Sequence, residues 1–228
     1  MRLFFVALSF SVPGLFAGEL NSLTEAEQKA GWQLLFDGKN INKHWCNLGQ
    51  KNVTGEGWVI EKGVLVKLQG KKAGNLLTRR TWTDYEFAWE WKIGTKGNNG
   101  VKYMVLEKRG PIGHEYQMID DKFWAKSPLS LTGTFYAVLP RAVKLAEPVR
   151  IDKWNHSRIK VQDQQVEHWL NAEKILSYEL GSKPVLEGVA KSKFKKFEGF
   201  GKKVAGHILL TDHNDRCEFR NLKIRELK

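Results

Sequence analysis

The residues best placed to move protons in this 228-residue chain lie in the stretch Gly113-His114-Glu115-Tyr116-Gln117-Met118-Ile119-Asp120. Polar and apolar residues alternate there as on a β-strand, which puts Glu115 and Gln117 on one face and Tyr116 and Met118 on the other. A regular strand would leave Asp120 on the Tyr116 face. A bulge between Met118 and Asp120 would return it to the side of Glu115. Two carboxylates and an amide would then form a row next to His114. Such a set suits general acid–base chemistry, in which a carboxylate or imidazole takes a proton while the amide orients a polar ligand. The bland alternative is an exposed strand with a polar solvent face.

The elements that must position this stretch read as strands. Tyr85, Phe87, Trp89, Trp91 and Ile93 alternate with Glu86, Ala88, Glu90 and Lys92, the pattern of a strand with one face on a core and the longest the sequence offers. Gly97-Asn98-Asn99-Gly100 turns the chain into Val101 to Leu106, and Gly57 to Leu68 reads as a hairpin with its turn at Glu61-Lys62-Gly63. Trp32 to Lys39 reads as a strand ending in an Asp-Gly turn. Further strands are expected at Gly133–Val138, Ser157–Val161, Val166–Leu170, Ile175–Glu179, Gly206–Asp212 and Cys217–Ile224. A short helix is expected from Thr24 to Gly31, with Thr24 and Glu27 as a capping box. Between Glu187 and Lys203 the sequence interleaves six lysines with Phe194, Phe197 and Phe200, which reads as a long loop serving as a lid or mobile segment. Many short strands without a long helical period predict an all-β fold, a two-sheet antiparallel β-sandwich. Trp89, Trp91, Tyr116 and Ile208 are expected to face its interior.

Composition bounds the rest. The chain is 42% hydrophobic and 27% charged, which permits a packed core. Nine Trp, twelve Phe and five Tyr fit either an open aromatic ligand face or an ordinary β core. The net charge of +12 comes with no basic helix and no nucleic-acid motif, so a well-mixed basic surface is expected and no nucleic-acid partner. Arg2, the apolar run Leu3–Phe10 and the small residue Ala17 read as an export signal over residues 1–17, with a periplasmic or extracellular destination. That run is too short for a transmembrane segment and Pro13 interrupts it. Residues 18–29 then form an N-terminal extension, and residues 30–228 a single domain. Cys46 and Cys217 are compatible with one disulfide or with two buried thiols. No cofactor motif and no diagnostic metal-ligand spacing is present.

Several motifs stand in an order that resembles one family. They are Trp32–Gly38, Asp84–Lys92, Gly97–Val101, Glu115–Asp120, Thr132-Gly133, Lys153-Trp154-Asn155, His168–Asn171, Gly206–His213 and Phe219–Ile224. The chain is similar to the 3-keto-disaccharide hydrolase domain family from about Ala30 to Leu227. That family in turn resembles the concanavalin A-like lectin/glucanase jelly roll. The resemblance implies a carbohydrate or glycoside substrate and cleavage of glycosides oxidised to a ketone at C3. The ketone acidifies the C2 proton, a base removes it, the C1 substituent leaves, and water adds afterwards. On this reading Glu115, Asp120, Glu90 and His213 are the catalytic candidates. His168 is a further imidazole, and Gln117, Lys92, Asn171 and Arg158 are candidate substrate or oxyanion contacts. Glu90 could equally be an ordinary strand residue, His168 a satisfied core imidazole and His213 a turn cap. Two other classes compete: a non-catalytic carbohydrate-binding module on the same sandwich, and a retaining glycoside hydrolase with two carboxylates. Gln117 in place of the central acid of sandwich-fold glycosidases weighs against the latter.

Overall fold

A computed structural model describes residues 19–228, so the signal expected over residues 1–17 lies outside the described residues. In chain order the strands are β1 (Gln33–Leu34), β2 (Trp45–Asn47), β3 (Trp58–Glu61), β4 (Val64–Lys67), β5 (Leu76–Thr78), β6 (Tyr85–Ile93), β7 (Asn98–Val105), β8 (His114–Ile119), β9 (Asn155–Gln162), β10 (Gln165–Leu170), β11 (Glu173–Glu179), β12 (His207–Leu210) and β13 (Cys217–Glu226). All pair antiparallel. The larger sheet runs β11-β10-β9-β6-β13-β4-β3, with β1 also on β13, and the smaller runs β2-β5-β12-β7-β8. Two antiparallel sheets packed face to face make the β-sandwich that the alternation predicts.

The core lies between the sheets. Tyr85, Phe87, Trp89, Trp91 and Ile93 of β6 meet Val101, Tyr103, Tyr116 and Met118 of β7 and β8 there. Trp89, Trp91, Tyr116 and Ile208 are fully buried, as expected. Trp89 packs edge-on against Tyr116, centroids 5.1 Å apart, which adds aromatic geometry to simple burial. Tyr116 Oη donates to the Trp169 carbonyl, and Ser157 Oγ ties the Tyr116 hydroxyl to Trp91 Nε1 at 2.9 and 2.8 Å. The polar atoms of Tyr116 and Trp91 therefore carry partners, whereas Tyr85 Oη and Trp89 Nε1 in the same layer are buried without one. Cys46 and Cys217 are both buried free thiols. Cys46 belongs to a small apolar cluster with Leu77, Val105 and Leu209, whereas Cys217 sits in the main core, so the sandwich separates them.

Several elements differ from the sequence reading. β13 is the longest strand, one residue longer than β6. The chain reverses at Gly94–Gly97 rather than at Gly97–Gly100, so Asn98 and Asn99 already belong to β7. Only Gln33–Leu34 of the Trp32–Lys39 stretch is strand, and residues 133–138 make isolated bridges from Phe135 to Tyr116 and Leu139. The expected loop at 187–203 begins inside a helix, Lys183–Lys191, and continues into a 3-10 turn, Lys193–Lys196. Pro184 suits the first turn of that helix, and Val185 and Val189 supply its buried side. The phenylalanines then turn inward, with Phe194 stacked on Phe200 at 4.4 Å, while the lysines between them face out.

The helix near the N-terminus is Glu25–Lys29 with both halves of the Thr24/Glu27 capping box formed. Its leading segment is clasped to β13. The Asn21 backbone N–H donates to Asn221 Oδ1 at 2.8 Å and the Asn221 N–H donates to Asn21 Oδ1 at 2.9 Å. No helix among the described residues is long and apolar enough to cross a membrane.

Candidate functional site

β7 and β8 pair in continuous register, Gly100 opposite Gln117 and Lys102 opposite Glu115. Val101, Tyr103, Tyr116 and Met118 point into the core, so Asn98, Gly100, Lys102, Glu115 and Gln117 share the outer face of the smaller sheet. The far edge of β8 is covered rather than left open. Gly133 donates its N–H to the Gln117 carbonyl at 2.8 Å, and Tyr136 donates to the Glu115 carbonyl at 3.0 Å. The segment after Asp120 thereby extends this edge, and residues 124–137 line the outer face together with Lys191 of the Lys183–Lys191 helix.

Between these coverings lies a cavity of about 520 Å³. Gln117 and Asn98 contribute its polar floor, Trp124, Leu129 and Tyr136 its apolar wall, and Lys193 the side toward Glu115. Glu115 stands just beyond Gln117 on the strand. Its side chain is 13% exposed, with Oε2 4.0 Å from Lys102 Nζ. It fits because Gly100, diagonal to it on β7, has no side chain: a Cβ there would come within 2.5 Å of Glu115 Oε1. Burial raises the Glu115 carboxyl above its ordinary value of 4.5, against the opposing charges of Lys102, Lys193 and His213. A carboxylate lifted by burial near a cavity has the character of a general base or acid.

His213 approaches from the loop between β12 and β13. Thr211 and Asp212 fix that loop from below. The Gly100 N–H donates to Thr211 Oγ1 at 2.9 Å, Ala73 and Gly74 donate to Asp212 Oδ2 at 2.9 and 2.8 Å, and Lys67 pairs with Asp212 at 3.1 Å. His213 is left partly exposed, its Nδ1 3.5 Å from the Asp215 carboxylate. Asp215 also accepts the Asn98 N–H at 3.0 Å, which ties the imidazole loop to the edge of the cavity.

The other sequence candidates lie elsewhere. β8 carries no bulge and ends at Ile119. Asp120 therefore keeps the orientation of a regular strand, and its Oδ2 accepts the Lys96 N–H at 3.0 Å instead of joining Glu115. Glu90 belongs to the larger sheet and points away from the core on its outer face. There it is fully buried beneath Arg220, at 2.7 Å, and Asn221. Lys92 pairs with Glu218 at 2.7 Å on the same face. Arg158 pairs with Glu86 at 2.9 Å and lies 4.2 Å over the Trp169 ring. The whole sandwich separates these three from Glu115. His168 is buried in the core. Its Nδ1 lies 2.8 Å from the Gly133 carbonyl and its Nε2 2.8 Å from Tyr103 Oη, the satisfied-imidazole alternative. Asn171, at φ +47°, closes the β10–β11 turn by accepting the His156 N–H at 2.9 Å. The geometry brings Glu115, Gln117 and His213 to one region. It adds Asn98, Lys102, Lys193 and Asp215, which sequence reasoning missed; the period-two pairing of β7 with β8 is the signal for the first two.

A family model described as the 3-keto-alpha-glucoside-1,2-lyase-like domain matches residues 31–225. A protein of Bacteroides thetaiotaomicron named 3-keto-disaccharide hydrolase is 29% identical over 257 aligned residues, covering 97% of this chain and 87% of that protein. Among solved structures, a candidate glycosyl hydrolase of Parabacteroides distasonis superposes with a TM-score of 0.80 at 32% identity, covering 92% of this chain and all of that one. A second one from the same organism gives 0.68 at 25% identity, covering 86% and 99%.

Proposed function

The chain belongs to the 3-keto-alpha-glucoside-1,2-lyase-like domain family, and from that premise we propose that it cleaves glycosides whose sugar carries a ketone at C3, by elimination followed by hydration. The observation that supports this most directly is the enclosed Glu115 carboxylate, raised by burial and two residues along β8 from Gln117, which lines the cavity. Glu115 takes the C2 proton, and the C–H electrons become the C2–C3 enolate. Gln117, which lines the cavity two residues along β8 from Glu115, supplies the amide donor for the enolate oxygen. The enolate then re-forms the ketone as a C1–C2 double bond appears and the C1–O bond breaks. The leaving oxygen collects a proton from His213, poised against Asp215. Water adds across C1–C2 in the second half, so the net change is hydrolysis. A double-displacement hydrolase would need a second carboxylate at the cavity, and none lines it among the described residues. The deciding experiment is release of the aglycone from a 3-keto-glucoside and not from its parent glucoside, run in deuterated water. Aglycone release without deuterium at C2 would replace elimination by direct hydrolysis.

Gly100→Ala tests the placement of the base. The new methyl group would meet a flexible carboxylate rather than backbone, so folding should be little affected. The carboxylate must move by roughly an ångström, and turnover should fall about 10- to 100-fold. Wild-type kcat in a normally folded Gly100→Ala protein would mean that the position of Glu115 is unimportant.

The segment Met1–Ala17 is proposed to direct export and to be removed. Intact-mass measurement on protein from the native host should find those residues missing, and a full-length cytoplasmic species would refute the proposal.

A further inference from the structure

The cavity has a charge asymmetry that cleavage of a neutral glycoside does not use. Lys126, Lys191 and Lys193 all line it, and no carboxylate does. Lys193 is held by aromatic faces, its Nζ 4.6 Å from the Tyr136 ring centroid and 5.3 Å from that of Phe194. Glu115 sets its charge against Lys193, although burial favours its neutral form, and the other nearby acids are committed elsewhere. Asp120 accepts the Lys96 N–H, Asp121 pairs with Arg141 at 3.0 Å, and Glu187 faces Lys183 at 3.9 Å. Three ammonium groups around one concavity repel each other, and an anionic ligand relieves that repulsion.

We infer that the substrate of this site carries an oxyanion, a uronic-acid carboxylate or a sulfate ester, held by the lysines of the cavity rim. The inference rests on the proposed reaction and adds the substrate class. Glu115 and Gln117 define the reacting end of the site, and the lysines define a second, charge-reading end: Lys191 closes the Lys183–Lys191 helix, Lys193 opens the 3-10 turn after it, and Lys126 follows α-helical Asp121–Trp124. The lysines are themselves largely exposed, so the interaction is screened and its signature is salt dependence.

The test compares 4-nitrophenyl 3-keto-glucoside with its C6-carboxylate and its 6-sulfate, and with a 3-keto-glucosyl disaccharide ending in glucuronate. At about 20 mM salt, kcat/KM for at least one anionic substrate should exceed that for its neutral counterpart about tenfold, and the advantage should shrink by about 500 mM. The identity of the preferred substrate separates a carboxylate from a sulfate. In the triple variant Lys126→Met, Lys191→Met, Lys193→Met the anionic-to-neutral ratio should fall toward one, while Lys51→Met, on a distant exposed loop, should leave it as in the wild type. Equal or better turnover of the neutral substrate, insensitive to salt, overturns the inference. If no keto-glycoside is cleaved, the proposed reaction fails instead. Calorimetry with glucuronate-ended and glucose-ended disaccharides then decides the charge question, and equal binding of the two sinks it.

Discussion

Glu115→Gln keeps the fold and loses about 10²- to 10⁴-fold in turnover of a 3-keto-glucoside, because an amide cannot accept the C2 proton. The carboxylate is 13% exposed and lies against the bare Cα of diagonal Gly100, so the isosteric amide fits the same space. Burial disfavours the charged form, and replacing it by a neutral group should leave the melting temperature unchanged or raise it. Loss of activity together with gain of stability distinguishes a base from a structural residue. The pH dependence follows the same shift. A base must be ionised, so kcat/KM should fall as pH drops through a value above the ordinary 4.5 of glutamate, and that acid limb should vanish in the residual activity of Glu115→Gln. Glu90→Gln is the contrasting case. It loosens the Arg220 pair on the other sheet and should leave kcat as it is. Full activity in Glu115→Gln removes it as the base.

Acid should unfold this protein earlier than its carboxylates alone would require. Burial, together with the charge of His168, lowers His114 to about 3; burial lowers His168 to about 4 against the raising effect of its bond to the Gly133 carbonyl. Both are neutral in the native core, whereas in the unfolded chain they take up protons below about pH 6.5. The stability they contribute is therefore fully present above pH 6.5 and is lost as pH falls toward 4. At about 1.4 kcal/mol per unit, the two together account for about 6 kcal/mol by pH 4, which approaches the whole stability of many domains. Carboxylates act in a lower window. Asp212, whose burial is outweighed by the Ala73 and Gly74 hydrogen bonds and by Lys67, is held below 3.8 and matters only near and below that pH. Urea midpoints should drop steadily from pH 6.5 to 5, and His168→Gln should flatten the slope. A midpoint constant from pH 7 to 5 would contradict the assignment of two neutral core histidines.

Period-two alternation carried most of what was legible in the sequence. It identified β6 from Tyr85 to Ile93 and placed Glu115 and Gln117 on one face. Alternation says which residues share a face but not which sheet the face belongs to. A sandwich has two outer faces, so Glu90, Lys92 and Arg158, candidates by residue type, fall on the one opposite Glu115 with the core between them. His168 was readable by the same rule: Val166, His168 and Leu170 have one parity, and the burial of all three makes the imidazole a core residue. Asp120 illustrates a different limit. A carboxylate at a strand end can serve a neighbouring turn as readily as a ligand, and its partner, the Lys96 N–H, is set by the reversal at Gly94–Gly97. Lys193 and Asp215 reach the site only through tertiary folding, from the turn after the Lys183–Lys191 helix and the loop before β13, and no local pattern announces that.

The position of β13 has a consequence for synthesis. This strand comes after every other strand in the sequence, yet it lies in the middle of the larger sheet, between β6 and β4. Until residues 217–226 are available, that sheet is in pieces: β11-β10-β9-β6 and β4-β3 each have an open edge facing the gap, and β1 has no strand to pair with. A growing chain can form hairpins but cannot close its core, and the Asn21–Asn221 clasp must bridge 200 positions of sequence. Pairings of such long range make folding slow and leave nascent strand edges open to a chaperone or to a neighbouring copy. The same gap keeps the nascent chain from locking into its compact form before synthesis has passed residue 226.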